Sequence, residues 1–151
     1  MVSKAMASNQ SLYDRDFYAW ANEQAALLRA GRLQDLDIEN VAEEIESMGR
    51  SEKRELLNRL TVLLLHLLKW RYQAGYRGRS WQLTIKEQRR KVVRHLDDNP
   101  SLKHMLPEVF AESYADSTLE AERETGILET SFPQICPWTY DQVMSADWLP
   151  D

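Results

Sequence analysis

His66 interrupts the most apolar run of the chain, Leu60–Leu68, which reads LTVLLLHLL. An imidazole is the one side chain whose ordinary titration lies near neutral pH, so beside carboxylates it could hold or move a proton. On a helix His66 shares a face with Arg59, Leu63, Lys69 and Trp70. Its bland role is a core histidine with a single hydrogen-bond partner. The chemical role needs acids, and the chain supplies them in the row Asn40, Glu43, Glu44, Ser47, at i, i+3, i+4, i+7. Gln88 and Arg89 on a later helix complete the set. The candidate polar site is therefore Asn40, Glu43, Glu44, His66, Lys69, Trp70, Gln88 and Arg89. The bland reading of the acidic row is a solvated helix face.

Other chemistries lack their templates. Five scattered glycines build neither a phosphate loop nor a dinucleotide fingerprint, and no Gly-x-Ser-x-Gly elbow occurs. A carboxylate-bridged di-iron bundle needs paired Glu-x-x-His motifs. Three residues before His66, His95 and His104 stand Leu63, Val92 and Ser101 instead. His104 and Glu108 have helical spacing, but Pro107 falls between them. No metal site and no cofactor are expected. Cys136, the sole thiol, reads as a small buried hydrophobe.

Helices must position these residues. Tyr13, Phe17, Trp20, Ala21, Leu27 and Leu28 keep a helical period, with Asp14 as a cap and Gly31 just past the end. Asp37 caps a second helix, in which Ile38, Val41, Ile45 and Met48 form an apolar stripe opposite the acidic row. Past Gly49 that stripe lapses, because Glu52 and Glu55 occupy its turns. The pattern predicts a break or kink near Gly49, with Ser51 opening a new helix. The alternative is one helix of roughly 55 Å running to Gln73. Leu60–Leu68 is apolar on nearly every face and predicts a central helix surrounded by others.

A loop, Ala74–Ser80, precedes a helix capped by Ser80 that buries Trp81, Ile85, Val92 and Leu96. Asn99-Pro100 punctuates the chain. Pro107 opens an acidic helix ending near Gly126, and Thr139–Ser145 forms a last short helix before an apolar tail, Trp148-Leu149-Pro150, that docks. The fold class is all-α: a single-domain bundle of about five helices with an apolar central helix and an extended C-terminal tail. It occupies residues 11–151, after a disordered polar segment at 1–10.

Composition sets the outer limits. A chain of 151 residues with 43% hydrophobic and 28% charged residues supports a real core. One cysteine excludes a disulfide framework and fits a reducing cytoplasm, and no apolar run is long enough for a membrane. Charge is uneven. Between Lys69 and Arg94 nine cations stand against the single acid Glu87, whereas the remaining residues hold ten cations and twenty-three acids. The basic stretch is expected to be satisfied by the chain's own acidic helices packed alongside it.

The blocks YDRDFYAWANEQAALLRAGR from Tyr13, LDIENVAEEIESMGRSEKREL from Leu36, HLLKWRYQ from His66 and SWQLTIKEQRR from Ser80 occur in this order. NPSL from Asn99, ETGI from Glu124 and FPQICPW from Phe132 follow. In this combination the chain resembles the domain of unknown function 29 family of small, mainly helical bacterial proteins. The resemblance covers residues 12–150 and implies a helical bundle and a bacterial cytosolic setting. It implies no activity. Glu43, Glu44, His66, Lys69 and Trp70 fall within its blocks.

Three functions compete. The leading one is a non-enzymatic protein-interaction or regulatory module whose partner is a protein or a second copy of the chain. It rests on the failed catalytic templates and on fourteen aromatics, several near the ends. An enzyme or small-ligand binder would use the Glu/His/Arg site inside the bundle. Nucleic-acid binding would use the basic segment 69–94, where Trp70, Tyr72, Tyr76 and Trp81 interleave the cations.

Overall fold

The computed structural model describes residues 12–151, so the polar start expected at 1–10 lies outside the described residues. Residues 12–15 are helical. Four long helices follow: α1 (Phe17–Arg29), α2 (Ile38–Tyr72), α3 (Arg79–Asp98) and α4 (Leu106–Thr125), then a short α5 (Tyr140–Met144). Single 3-10 turns fill Leu33–Asp35, Ala74–Tyr76 and Glu129–Ser131, and a longer 3-10 segment fills Pro100–Met105. No strand occurs among the described residues, so the fold is all-α. No described helix is long and apolar enough to cross a membrane. The chain divides into two compact units, the first ending at Ser51 and the second running Glu52–Asp151.

In the first unit α1 begins one residue after Asp16, whose carboxylate accepts the Ala19 N–H at 3.0 Å. The cap is therefore Asp16 rather than Asp14. Gly31 ends the turn at φ 72°, a left-handed conformation that costs a residue without Cβ little. Trp20 and Gln24 are the buried residues of α1. Both reach buried Asp37: its carboxylate accepts the Trp20 indole N–H at 3.0 Å, and its own N–H donates to Gln24 Oε1 at 2.8 Å. These two bonds fasten α1 to the start of α2.

One expectation about α2 is corrected. The helix passes through Gly49 without a break. The backbone ladder is local and needs no apolar stripe to continue, and a helical glycine costs only about 1 kcal/mol against alanine. Arg50 also bridges that turn, reaching Glu43 at 2.8 Å and Glu46 at 3.8 Å. The apolar stripe itself is not covered. Ile38 is 63% exposed, Ile45 58% and Met48 62%.

The second unit holds the core. Leu56, Leu60, Leu63, Leu64, Leu67 and Leu68 of α2 are fully buried. Each such side chain is worth about 1.5–3 kcal/mol relative to exposure. They pack with Ile85, Val92 and Leu96 of α3, with Val109, Tyr114 and Ala121 of α4, and with Phe132 and Val143. Small hydroxyl residues let α4 come close: Ser113 is buried and its Oγ donates to Leu57 O at 3.2 Å. Gly126 closes α4 at φ 78°, and a capping box between Thr139 and Gln142 opens α5. α3 starts at Arg79 behind Gly78, not behind a Ser80 cap. The apolar tail docks as expected, with Trp148 and Leu149 against the core and Pro150 buried.

Candidate functional site

The eight residues singled out from sequence are divided between the units. In the first, Asn40 donates from Nδ2 to Asp37 Oδ2 at 2.8 Å and Glu43 accepts from Arg50 at 2.8 Å. Glu44 accepts the hydroxyl hydrogen of Tyr13. That bond to a carboxylate pushes the Tyr13 phenol up to about 12, with burial and the neighbouring acids adding to it. The polar row thus ties the first unit to itself, along the flank of the uncovered stripe.

In the second unit His66 is half-buried, and its Nδ1 donates to Val62 O one turn earlier at 2.8 Å. Burial lowers its pKa below the usual histidine value, and Lys69 lowers it further. Lys69 lies 3.6 Å from Glu124 and 4.8 Å from the Trp81 ring centre. Trp70 is buried, with the Arg77 guanidinium over its ring. Gln88 is buried and its Oε1 has no hydrogen-bond partner among the described residues. Arg89 is 6% exposed and donates three hydrogen bonds, to Val143 O, Ala146 O and Trp148 O, at 2.8, 3.1 and 2.6 Å. Its guanidinium clamps the C-terminal segment, and burial lowers its pKa.

The basic stretch is satisfied only in part. Lys69 pairs with Glu124 and Lys91 with Glu87, while Arg77 and Arg89 are spent on backbone carbonyls. Among the described residues Arg71, Arg79, Lys86, Arg90 and Arg94 are exposed and have no carboxylate within 4.0 Å, and the last three, at i, i+4, i+8, form a row on α3. The expectation that acidic helices would neutralise the whole stretch is overturned. Helix α4 supplies one of these partners, Glu124. Of the interleaved aromatics Trp70 is buried and Lys69 lies over the Trp81 ring, while Tyr72 and Tyr76 are exposed.

Sequence reasoning missed a second cluster. Glu52, Glu55 and Arg59 of α2 and Lys91, Arg94 and His95 of α3 line an open cleft of about 460 Å³. His95 is buried, and its Nε2 lies 2.8 Å from Glu52 O. Its two ring nitrogens each lie 3.5 Å from a carboxylate, Nε2 from Glu52 Oε2 and Nδ1 from Glu55 Oε2. The signal was present as Glu52-x-x-Glu55 breaking the apolar stripe, but His95 is forty residues away and only packing joins them.

With this geometry in view, the comparison with protein families becomes informative. The family model described as "Domain of unknown function DUF29" matches residues 12–149. The chain belongs to the DUF29 family. No curated protein and no solved structure matches it. In this DUF29 chain the EEIES block is the solvent-facing start of α2, where Glu43 and Glu44 serve the first unit. The HLLKW block is the buried end of the same helix. DUF29 membership assigns no reaction to the chain.

Proposed function

We propose that this DUF29 protein is an interaction module, and that its first unit docks a partner protein carrying a basic amphipathic segment. The observation that supports this is the uncovered stripe Ile38, Ile45 and Met48, each more than half exposed on one face of α2. An apolar helix face of that kind pays for itself only when something covers it. Leu28, Leu33 and Phe17 add further exposed apolar surface on the same unit. Charge selects the occupant. Residues 12–51 hold nine carboxylates against four arginines. A second identical surface would be repelled, whereas lysines and arginines flanking an apolar stripe would be attracted.

The exposed cations Arg71, Arg79, Lys86, Arg90 and Arg94, with the exposed Tyr76, give a polyanion some support, but the chain's net charge of -5 opposes one. The test places a photo-crosslinking amino acid at Ala42, beside the stripe, in the native host. The expected adduct joins a Lys/Arg-rich amphipathic segment of another protein and disappears in Ile45→Glu. An adduct between two copies, an adduct with an acidic segment, an adduct that survives Ile45→Glu, or none at all overturns the reading.

A further inference from the structure

We infer that His95, Glu55 and Glu52 form a binding site for a divalent transition-metal ion of the zinc type. The tautomer of His95 carries the inference. Nε2 lies 2.8 Å from the Glu52 carbonyl oxygen, which can only accept, so Nε2 bears the hydrogen. In the neutral ring Nδ1 is then a bare lone pair. It has no hydrogen-bond donor among the described residues, and the nearest charged group is Glu55 Oε2 at 3.5 Å. Two acceptors facing each other are bridged by a cation, a proton or a metal ion.

The surroundings suit a metal ion in that role. The imidazole is 9% exposed, held by its backbone bond, while the carboxylates of Glu52 and Glu55 stay about half exposed at the mouth of the cleft. One donor atom from each of the three residues lies within 4.8 Å of the other two. Metal bonds of about 2.0–2.1 Å place neighbouring donors roughly 3.3 Å apart, close to the observed Nδ1–Oε2 separation. The Glu52 carboxylate lies on the Nε2 side of the ring, 3.5 Å from that nitrogen, and its half-exposed side chain turns toward Nδ1 to join the ion. Arg59 lies 3.4 Å from the other oxygen of Glu55, so Oε2 is the one left for the ion. A carbonyl on the far ring nitrogen is the usual outer contact of a metal-bound histidine. One nitrogen and two carboxylate oxygens favour zinc, cobalt or nickel over calcium or magnesium, and water from the open cleft fills the remaining positions.

Isothermal titration of the full chain with zinc chloride at neutral pH tests this. One zinc per chain is expected. Glu55→Gln and His95→Gln should each weaken binding by at least about tenfold. His104→Gln, at an exposed histidine, should leave it unchanged. Glu55→Gln alters only a half-exposed side chain, so it remains decisive if His95→Gln does not fold. Absence of zinc uptake by the wild-type chain, or wild-type affinity in either site variant, overturns the inference and leaves the imidazole to a proton.

Discussion

Tyr13 and Tyr114 are both pushed up to about 12, by different causes. For Tyr13 the hydrogen bond to Glu44 comes first, since ionising the phenol would set two anions against each other. For Tyr114 burial comes first, and its hydroxyl also donates to Pro133 O at 2.6 Å. A phenol whose folded value lies above its unfolded value near 10 favours folding while it is protonated. That contribution is complete below pH 10 and is lost as pH rises from 10 towards 12. Following tyrosinate formation by ultraviolet absorbance should show Tyr13 and Tyr114, and also Tyr140, which burial raises, titrating later than the other three of the six tyrosines. Tyr13→Phe and Tyr114→Phe should each remove one late group. If either variant leaves the late phase intact, the corresponding bond or burial is not what raises that group. The Tyr13–Glu44 pair was not legible in the sequence, because nothing in the spacing of two residues on different helices says that they meet.

The helix through Gly49 shows how a local signal misleads at the scale of an element. The lapse of apolar residues at Glu52 and Glu55 reads as a break, yet it marks a change in what the helix faces. Before Ser51 the helix belongs to the first unit, and from Glu52 onward to the second. Gly49 is neither at positive φ nor crowded: a Cβ there meets nothing within 4 Å. Gly49→Ala should therefore stabilise the protein by about 0.5–1 kcal/mol, by reducing the freedom of the unfolded chain and favouring the helix. Chemical denaturation followed by the helical circular-dichroism signal measures it. A loss of stability would mean that the glycine serves a bend or a close approach. Other element signals were read correctly, among them Gly31, Asn99-Pro100, Gly126 and the short helix after Thr139. Each depends on one residue's backbone preference or, after Thr139, on a capping box with Gln142, which no distant neighbour alters.

Taken whole, the second unit is closed by Arg89 rather than by an ion-pair seam. Its three hydrogen bonds to Val143 O, Ala146 O and Trp148 O join α3 to a segment more than fifty residues later. Arg89→Met keeps much of the volume but leaves three carbonyls without their donor. It should cost about 2–4 kcal/mol and raise amide hydrogen exchange through residues 143–148 ahead of the rest of the unit. Unchanged exchange there would show that apolar packing of Trp148 and Leu149 suffices. The clamp ties the C-terminal segment to α3 and so acts on the closure of the unit, not on any single helix.

The sequence by itself determined the all-α class, the helix order, the Leu-rich centre and the family. The first three follow from periodicity, capping and turn residues, which act over a few neighbours along the chain, and the family follows from the sequence blocks. Tertiary structure alone decided which faces are covered. It left Ile38, Ile45 and Met48 open, spent Arg89 on carbonyls instead of acids, and brought His95 to Glu52 and Glu55. The physical reason is that amphipathicity fixes a helix's own stripe but not its partner. Which polar groups meet is set by the packing of elements far apart in sequence, and period and composition carry no record of it.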